Sequence, residues 1–510
     1  MKTKTTKTFL SLLALALVGV HQARGAANTF ALATEIITSN NTPGVPNLML
    51  CSVEPGEPGH ASNGGNGAQK SAWWRWTAPS NGFCTVDTIV HEDDQFVLDT
   101  LVAVYTGSTV STLTRVAHND DMKLLPGNAG SRASSATFYA IQGTTYHIAV
   151  DAYHANDVNA NNSKVRLRLR HLAAVAESRI GAFYNSDEPG VHGTVHLSKT
   201  AGHSFTAKMM LAGKAVSFSG VFSLDGYFVT SFERKVPAGA VPLPPLTLWL
   251  DGAQNGTFGI VSSISSYVNY PFHTVQRFTM TKPNTMKGLY TAVFNSGTVS
   301  LTTSTTGAVT GAAVLPDGTK ATIGSSLCMD SPTRCWAPFT TSLHLGTGYF
   351  GSYLRFTEAG VVDTVLGLYS NYLRPAKPGA VFYPAGLNLA SSILGSTYIP
   401  PLAGTRALGF LDASMGAGKL SIPMQAPEIT PAITENLTLG ATNLFKFATP
   451  LLHKPVLTLN KTNGLVTGSI LDQAGKKRTF TGILYRDGMT AKLAGHLTGI
   501  TFNPAFSVIP

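Results

Sequence analysis

Glycines recur at fixed spacing through the second part of this 510-residue chain, and that spacing limits its fold more than any other feature. Gly307-Ala-Val-Thr-Gly311 precedes Gly318 and Gly324, and Gly464-Leu-Val-Thr-Gly468 precedes Gly475 and Gly482. A third copy keeps Gly202, Gly213 and Gly220 but has no glycine four places after the first. The step from the first glycine to the second is 11 residues in all three copies, and the next step is 7, 6 and 7. Each copy reads as strand, tight turn, strand, turn, strand, as at 299–301, 308–315 and 320–323. One hairpin unit is therefore used three times, with each turn needing φ > 0 at the same place. Matching β-segments at 246–250, 257–262, 341–345 and 393–401 lie between the copies. Residues 173–510 are expected to form a large repeat-built antiparallel β-barrel or curled sheet, with internal divisions near 285 and 405.

Composition agrees with an all-β chain. Only 13% of residues are charged, 50 are Gly, and the 44% hydrophobic fraction excludes wholesale disorder. An outer-membrane barrel needs strands of about ten alternating residues with aromatic girdles. The segments here are shorter and rich in Thr and Ser, so a soluble barrel is expected. With Gly346-Thr-Gly348-Tyr349-Phe350 and Tyr383-Pro-Ala-Gly386, the region resembles repeat-built β regions of exported proteins from Verrucomicrobia-type bacteria, a resemblance that implies no activity. The last copy departs from that pattern, carrying Leu493-Ala-Gly495-His496 where a Gly-aromatic ending is usual.

The first residues read as a secretory leader over 1–25. Lys2, Lys4 and Lys7 precede an apolar run from Phe9 to Val20, and Ala23-Arg24-Gly25 places small residues at the cleavage positions. That run is too short to span a bilayer, and no later stretch is long enough. The mature chain is expected to be secreted, periplasmic or at the cell surface, without a transmembrane helix. Removing the four cations of the leader lowers the formal charge from +10 to +6. Arg166, Arg168 and Arg170 read as a solvated strand face and Lys476-Lys477-Arg478 as a hairpin tip, so nucleic acid is not expected as a partner. Four cysteines in an oxidising compartment point to two disulfides. Of three connectivities, Cys51–Cys84 and Cys328–Cys335 respect the separation of the two regions. Zinc is disfavoured because there is no CxxC and no nearby pair of His.

Residues 28–172 show short strands at 71–77, 83–90, 101–105, 136–141, 146–150 and 165–169, separated by turn signals. This pattern reads as an antiparallel, jelly-roll-like β-sandwich of about eight strands. The ordered series Glu54-Pro-Gly-Glu57-Pro-Gly-His60-Ala61, Ser71-Ala-Trp73-Trp74-Arg-Trp76-Thr-Ala-Pro79, Leu98-Asp99-Thr100-Leu101, Asn119-Asp120-Asp121 and Gly143-Thr-Thr-Tyr146 to Asp151 resembles the secreted pre-peptidase C-terminal-like module. The resemblance implies an accessory binding or stabilising domain rather than a catalyst. Some members of that family bind calcium, which carries to Asp99, Asp120, Asp121 and Asp151, all at strand ends or turns where carboxylates can converge. Asp157-Val-Asn159-Ala-Asn161 begins like a calcium loop and then fails, with Asn162 and Arg168 at positions that need Gly and Glu.

Strand alternation sets Trp74 and Trp76 on one face and Trp73 with Arg75 on the other. Trp74 and Trp76 are expected in the core, while Trp73 and Arg75 are the candidate ligand contacts, with the Trp73 ring stacking on a sugar. Catalytic motifs are absent: there is no GxSxG, HExxH or GxxxxGK[ST], and the acids of the second region mostly sit beside turn glycines. The expected function is that of an exported non-enzymatic surface or extracellular protein acting as a binding or scaffold module, with a polysaccharide or another surface protein as partner. The alternatives are a carbohydrate-binding protein assisted by calcium and a hydrolase with an unrecognised site.

Overall fold

A computed structural model describes residues 28–509 except 38–46, 62–66, 89–97, 123–131, 160–162, 185–190, 212, 233–245, 253–257, 264–267, 277–285, 332, 359–362, 381, 426–428, 449–452, 488–489 and 499–504. The expected leader lies outside the described residues. The chain divides into two compact units, Met1–Arg170 and His171–Pro510. The described residues are nearly all strand, with helix confined to short 3₁₀ turns. Among them no helix is long and apolar enough to cross a membrane.

The first unit is built on two sheets. The larger orders its strands Thr34–Ile36, Ala72–Thr77, Thr145–Ala152, Thr100–Thr106 and Thr114–Asn119, and the smaller pairs Ser135–Ala140, Gly82–Asp87 and Arg168–Ala173. Thr34–Ile36 pairs parallel with Ala72–Thr77, while the pairings of Ala72–Thr77 with Thr145–Ala152, Thr145–Ala152 with Thr100–Thr106, Thr100–Thr106 with Thr114–Asn119 and Gly82–Asp87 with Ser135–Ala140 are antiparallel. Trp74 and Trp76 fill the core between the sheets with Cys84, Phe138 and Ile148. The last strand starts three residues later than its alternation predicts. Its arginines are not a solvated face: Arg168 donates to both oxygens of the buried Asp87 at 3.1 Å, and Arg170 is buried.

Three antiparallel sheets follow one another in the second unit, over residues 177–276, 288–397 and 417–509. In each the strands meander, and the last returns to pair with the first: Val268–Gln276 with Glu177–Tyr184, Leu387–Thr397 with Gly288–Phe294, and Ala505–Ile509 with Ala417–Ile422. The ladder opens in mid-sequence instead. In the middle sheet the opening lies between Lys320–Ser326 and Arg334–Leu343, and side chains span it. Ser325 Oγ donates to Pro338 O at 2.6 Å, and Thr341 Oγ1 donates to Thr322 O. Eight strands thus close almost fully into a barrel, with Cys328–Ser331 as a ninth strand beyond the closure. The barrel interior is apolar, filled by Tyr290, Phe294, Phe339, Phe350, Phe356 and Tyr372. Along its strands Val309, Ala321 and Ile323 are buried while Thr310, Lys320 and Thr322 are exposed, the inverse of a lipid-facing pattern.

The repeated hairpin is present in all three sheets. Gly307, Gly318, Gly464, Gly475 and Gly213 have positive φ, as their turn positions require. In the first copy, however, the turn residue equivalent to Gly307 and Gly464 is His203 (φ 66), not Gly202. The backbone closure is the same in each copy. The carbonyl of the turn residue accepts the N–H of a residue about twenty places on: His203 from Phe222 at 3.1 Å, Gly307 from Leu327 at 2.7 Å and Gly464 from Leu484 at 2.7 Å. The third glycine of each copy lies within a strand, not in a turn. Gly220 and Gly482 give room there to Phe228 and Phe506.

The expected disulfides are not formed. Cys51, Cys84, Cys328 and Cys335 are all buried thiols. Register explains the second pair, because Cys328 lies opposite Trp336 and Cys335 opposite Met329. Successive register positions project to opposite faces, so the two sulfurs point away from each other across the hairpin.

Candidate functional site

Residues Asp99, Asp120 and Asp121 converge because of sheet register. Asp99 precedes the strand Thr100–Thr106, and Asp120 and Asp121 follow Thr114–Asn119. These strands are antiparallel neighbours with Val102 opposite Asn119, so the start of one lies beside the end of the other. One carboxylate oxygen from each residue lies within 4.8 Å of the other two. Asp99 is anchored through its carbonyl, which accepts the N–H of Tyr153 at 2.9 Å. Its Oδ1 is buried and has no hydrogen-bond partner.

The electrostatics of this cluster are unbalanced. Burial, then Asp121 and Asp99, push Asp120 up to about 6. Asp99 is likewise raised, by burial first and then by Asp121, with Arg132 opposing. Two acids with raised affinity for protons, a third carboxylate beside them and an oxygen without a donor are the donor set a hard divalent cation favours. Calcium takes 6–8 oxygens and tolerates irregular geometry, so three carboxylates supplemented by carbonyls and water fit it.

The fourth acid expected in this set is used elsewhere. Asp151 is fully buried, and its oxygens accept the N–H groups of Gln69 (2.8 Å), Lys70 (2.5 Å) and Ala152 (2.8 Å). It is a clamp on a loop, the ordinary role of a turn aspartate. Asp157 lies close enough to raise Asp99, while Asn161 and Asn162 lie outside the described residues.

The sugar-stacking expectation for Trp73 is corrected. Its ring is fully buried, because Phe30, Val110 and Leu113 cover the outer face of the larger sheet. Its Nε1 donates to Glu57 Oε1 at 3.2 Å. Arg75 is exposed and pairs with Glu35 at 3.4 Å. Glu57 is a hub that the reading of single residues missed. It accepts from Ser71 Oγ and contacts His60 Nε2 at 3.0 Å, and His60 Nδ1 meets the Tyr105 hydroxyl at 2.9 Å. Burial alone would raise Glu57, yet the hydrogen bonds from His60 and Ser71 hold it below the ordinary carboxylate range. The Glu54–His60 run named above was the available signal, since it brings an acid and an imidazole three residues apart.

Buried acids of the second unit are engaged in the same way. Asp317 Oδ2 accepts from Arg374 Nη1 (2.7 Å), the Tyr372 hydroxyl (2.8 Å) and Thr319 Oγ1 (2.8 Å). Asp472 pairs with Arg478 at 2.8 Å, and Glu177 with Arg179 at 2.9 Å and Lys199 at 3.6 Å. Each ties a turn or strand end to a neighbouring strand. On the outer face of the smaller N-terminal sheet, Phe83 and Tyr139 stand opposite each other with ring centroids 5.2 Å apart. Tyr139 is 44% exposed, and Ile141 beside it is 51% exposed. Compared with known proteins, no family model matches this chain, and no curated protein does.

Proposed function

We propose that this chain is an exported, non-catalytic binding and scaffold protein. Its N-terminal sandwich binds a partner beside a calcium ion held by Asp99, Asp120 and Asp121, and its three meander sheets are the scaffold. One contrast carries the reading. The buried acids Glu57, Asp151, Asp317 and Asp472 are satisfied by donors that fasten loops, whereas the three clustered aspartates repel one another and Asp99 keeps an oxygen without a donor. Export rests on the leader pattern.

The test is melting of the full chain with calcium and with chelator, together with a broad hydrolase screen. A calcium-dependent rise in Tm without turnover supports the reading. An unchanged Tm removes the calcium site, and turnover of any substrate overturns the non-catalytic assignment. Carbohydrate binding is a second reading, favoured by the pair of exposed Tyr139 and half-buried Phe83, whose flat apolar faces suit a pyranose. A glycan array with the Tyr139→Ala variant checks it; retention of glycan unaffected by that change counts against this face.

A further inference from the structure

A cavity of about 220 Å³ lies in the C-terminal unit, lined by residues of the middle sheet, of the linker that follows it and of the hairpin Lys477–Asp487/Thr490–Thr498 of the third. Its lining includes Thr291 from strand Gly288–Phe294. Tyr290, Ala292 and Phe294 of that strand point into the barrel core, so alternation turns Thr291 to the opposite face. Thr291 is fully buried, and its Oγ1 has no hydrogen-bond partner. A buried hydroxyl without a partner costs about 1–3 kcal/mol, and this one is a polar group at the cavity that no protein atom satisfies.

The walls specify the chemistry. Pro400, Pro401 and Tyr485 are among the lining residues. These are flat apolar surfaces suited to a ring. Arg406 and Arg486 also line the cavity, and no Asp or Glu does. Arg406 is fixed by Nε to Leu439 O (2.8 Å), Nη1 to Asp412 Oδ1 (2.8 Å) and Nη2 to Met415 O (3.0 Å). Three bonds leave two of its five N–H groups uncommitted and hold the guanidinium in place. Asp412 is largely exposed and is not a lining residue, but its ion pair offsets part of the Arg406 charge, so Arg486 is the other cation of the lining.

We propose that this cavity binds a single six-membered ring carrying a carboxylate. The carboxylate faces the arginines, the ring lies between Tyr485 and the two prolines, and the Thr291 hydroxyl donates to a ligand oxygen. A uronic acid residue and an aromatic acid share this chemistry. The site is independent of the acidic cluster and of the Phe83–Tyr139 face, so its failure would leave the proposed function standing.

Calorimetric titration of the full chain with glucuronate and with benzoate, each up to about 10 mM, tests the proposal. The neutral controls are methyl glucoside and benzyl alcohol. Saturable binding of either acid, with its neutral counterpart at least about tenfold weaker, supports it, and the acid that binds identifies the source. Thr291→Val keeps the volume and is expected to weaken binding about tenfold while leaving Tm unchanged or higher. Arg486→Gln should weaken it by a similar factor, and Ala491→Leu should abolish it by filling the cavity. No saturable binding of either acid overturns the proposal. So does equal binding of the neutral rings, or a Thr291→Val variant that melts lower and still binds normally.

Discussion

Replacing Asp120 by Asn isolates the electrostatics of the acidic cluster from the rest of the sandwich. Burial and then the neighbouring Asp121 and Asp99 hold Asp120 at about 6, against an ordinary 3.8. At 1.36 kcal/mol per pH unit this gap is about 3 kcal/mol. Asp120 is partly exposed, and solvent screening brings the figure down to about 1 kcal/mol. The folded state therefore keeps this proton longer than the unfolded chain does. Stability falls as pH rises from about 4 to about 6, and the deficit stays constant above that. Asn carries no charge, so in chelator at pH 7 the D120N variant should be more stable than the parent by about 1 kcal/mol. The difference should vanish near pH 4. Calcium reverses the order. With an affinity of 10⁻⁴–10⁻³ M, typical of extracellular modules, about 5 mM calcium stabilises the parent by about 1–2 kcal/mol and the variant hardly at all. The assay is thermal melting at pH 4 and 7, with calcium or chelator, at about 2–8 °C per kcal/mol for a unit of this size. A variant that melts lower in chelator, or that keeps the calcium response, would refute the reasoning.

Further outcomes follow from individual contacts. Asp151→Ala removes the acceptor of three N–H groups and should cost about 2–4 kcal/mol in urea unfolding while leaving the calcium response intact. The turn glycines separate strain from crowding: Gly475 (φ 74) has open space where a Cβ would stand, whereas at Gly464 (φ 73) the Cβ would lie 2.7 Å from the Tyr398 ring. Gly475→Ala should therefore cost about 1 kcal/mol and Gly464→Ala about 2–3 kcal/mol; equal costs would mean that the Tyr398 contact is not structural. A thiol reagent should find no reactive cysteine in the native chain and all four after denaturation without reductant, because every cysteine is buried and unbridged; fewer than four would show a bridge.

What could be read from the sequence was whatever depends on neighbours in the chain. The turn glycines, the short alternating strands and the antiparallel sheets are local consequences of φ > 0 positions and period-two burial, and they are present. What could not be read depends on segments distant in the chain. Trp73 was correctly placed opposite Trp74 and Trp76, but alternation cannot reveal that Phe30, Val110 and Leu113 cover that face. Asp151 has the same strand-end setting as Asp99, and only the course of the loop carrying Gln69 and Lys70 separates a loop clamp from a member of the acidic cluster. Gly202 illustrates the opposite error. Its spacing matched the other copies, yet the chain turns one residue later, at His203.

The closure of the three meanders also restricts where binding can occur. Among the described residues, pairing the last strand with the first leaves the open ladder edges where each meander breaks, and in the middle sheet Ser325 and Thr341 bridge that break. Strand addition by a partner, which needs a free row of N–H and C=O groups, therefore has little purchase there. Aromatic and aliphatic side chains fill the middle barrel, and an apolar core lies within the third sheet. Besides the sheet faces, strand ends, hairpin tips and the linkers between sheets are the places where side chains can gather around a ligand. The three aspartates lie at strand ends of the sandwich, and the cavity over Thr291 lies beside a hairpin end and the linker containing Pro400 and Pro401. Both are places where the backbone departs from the ladder and side chains of different strands can meet around a ligand.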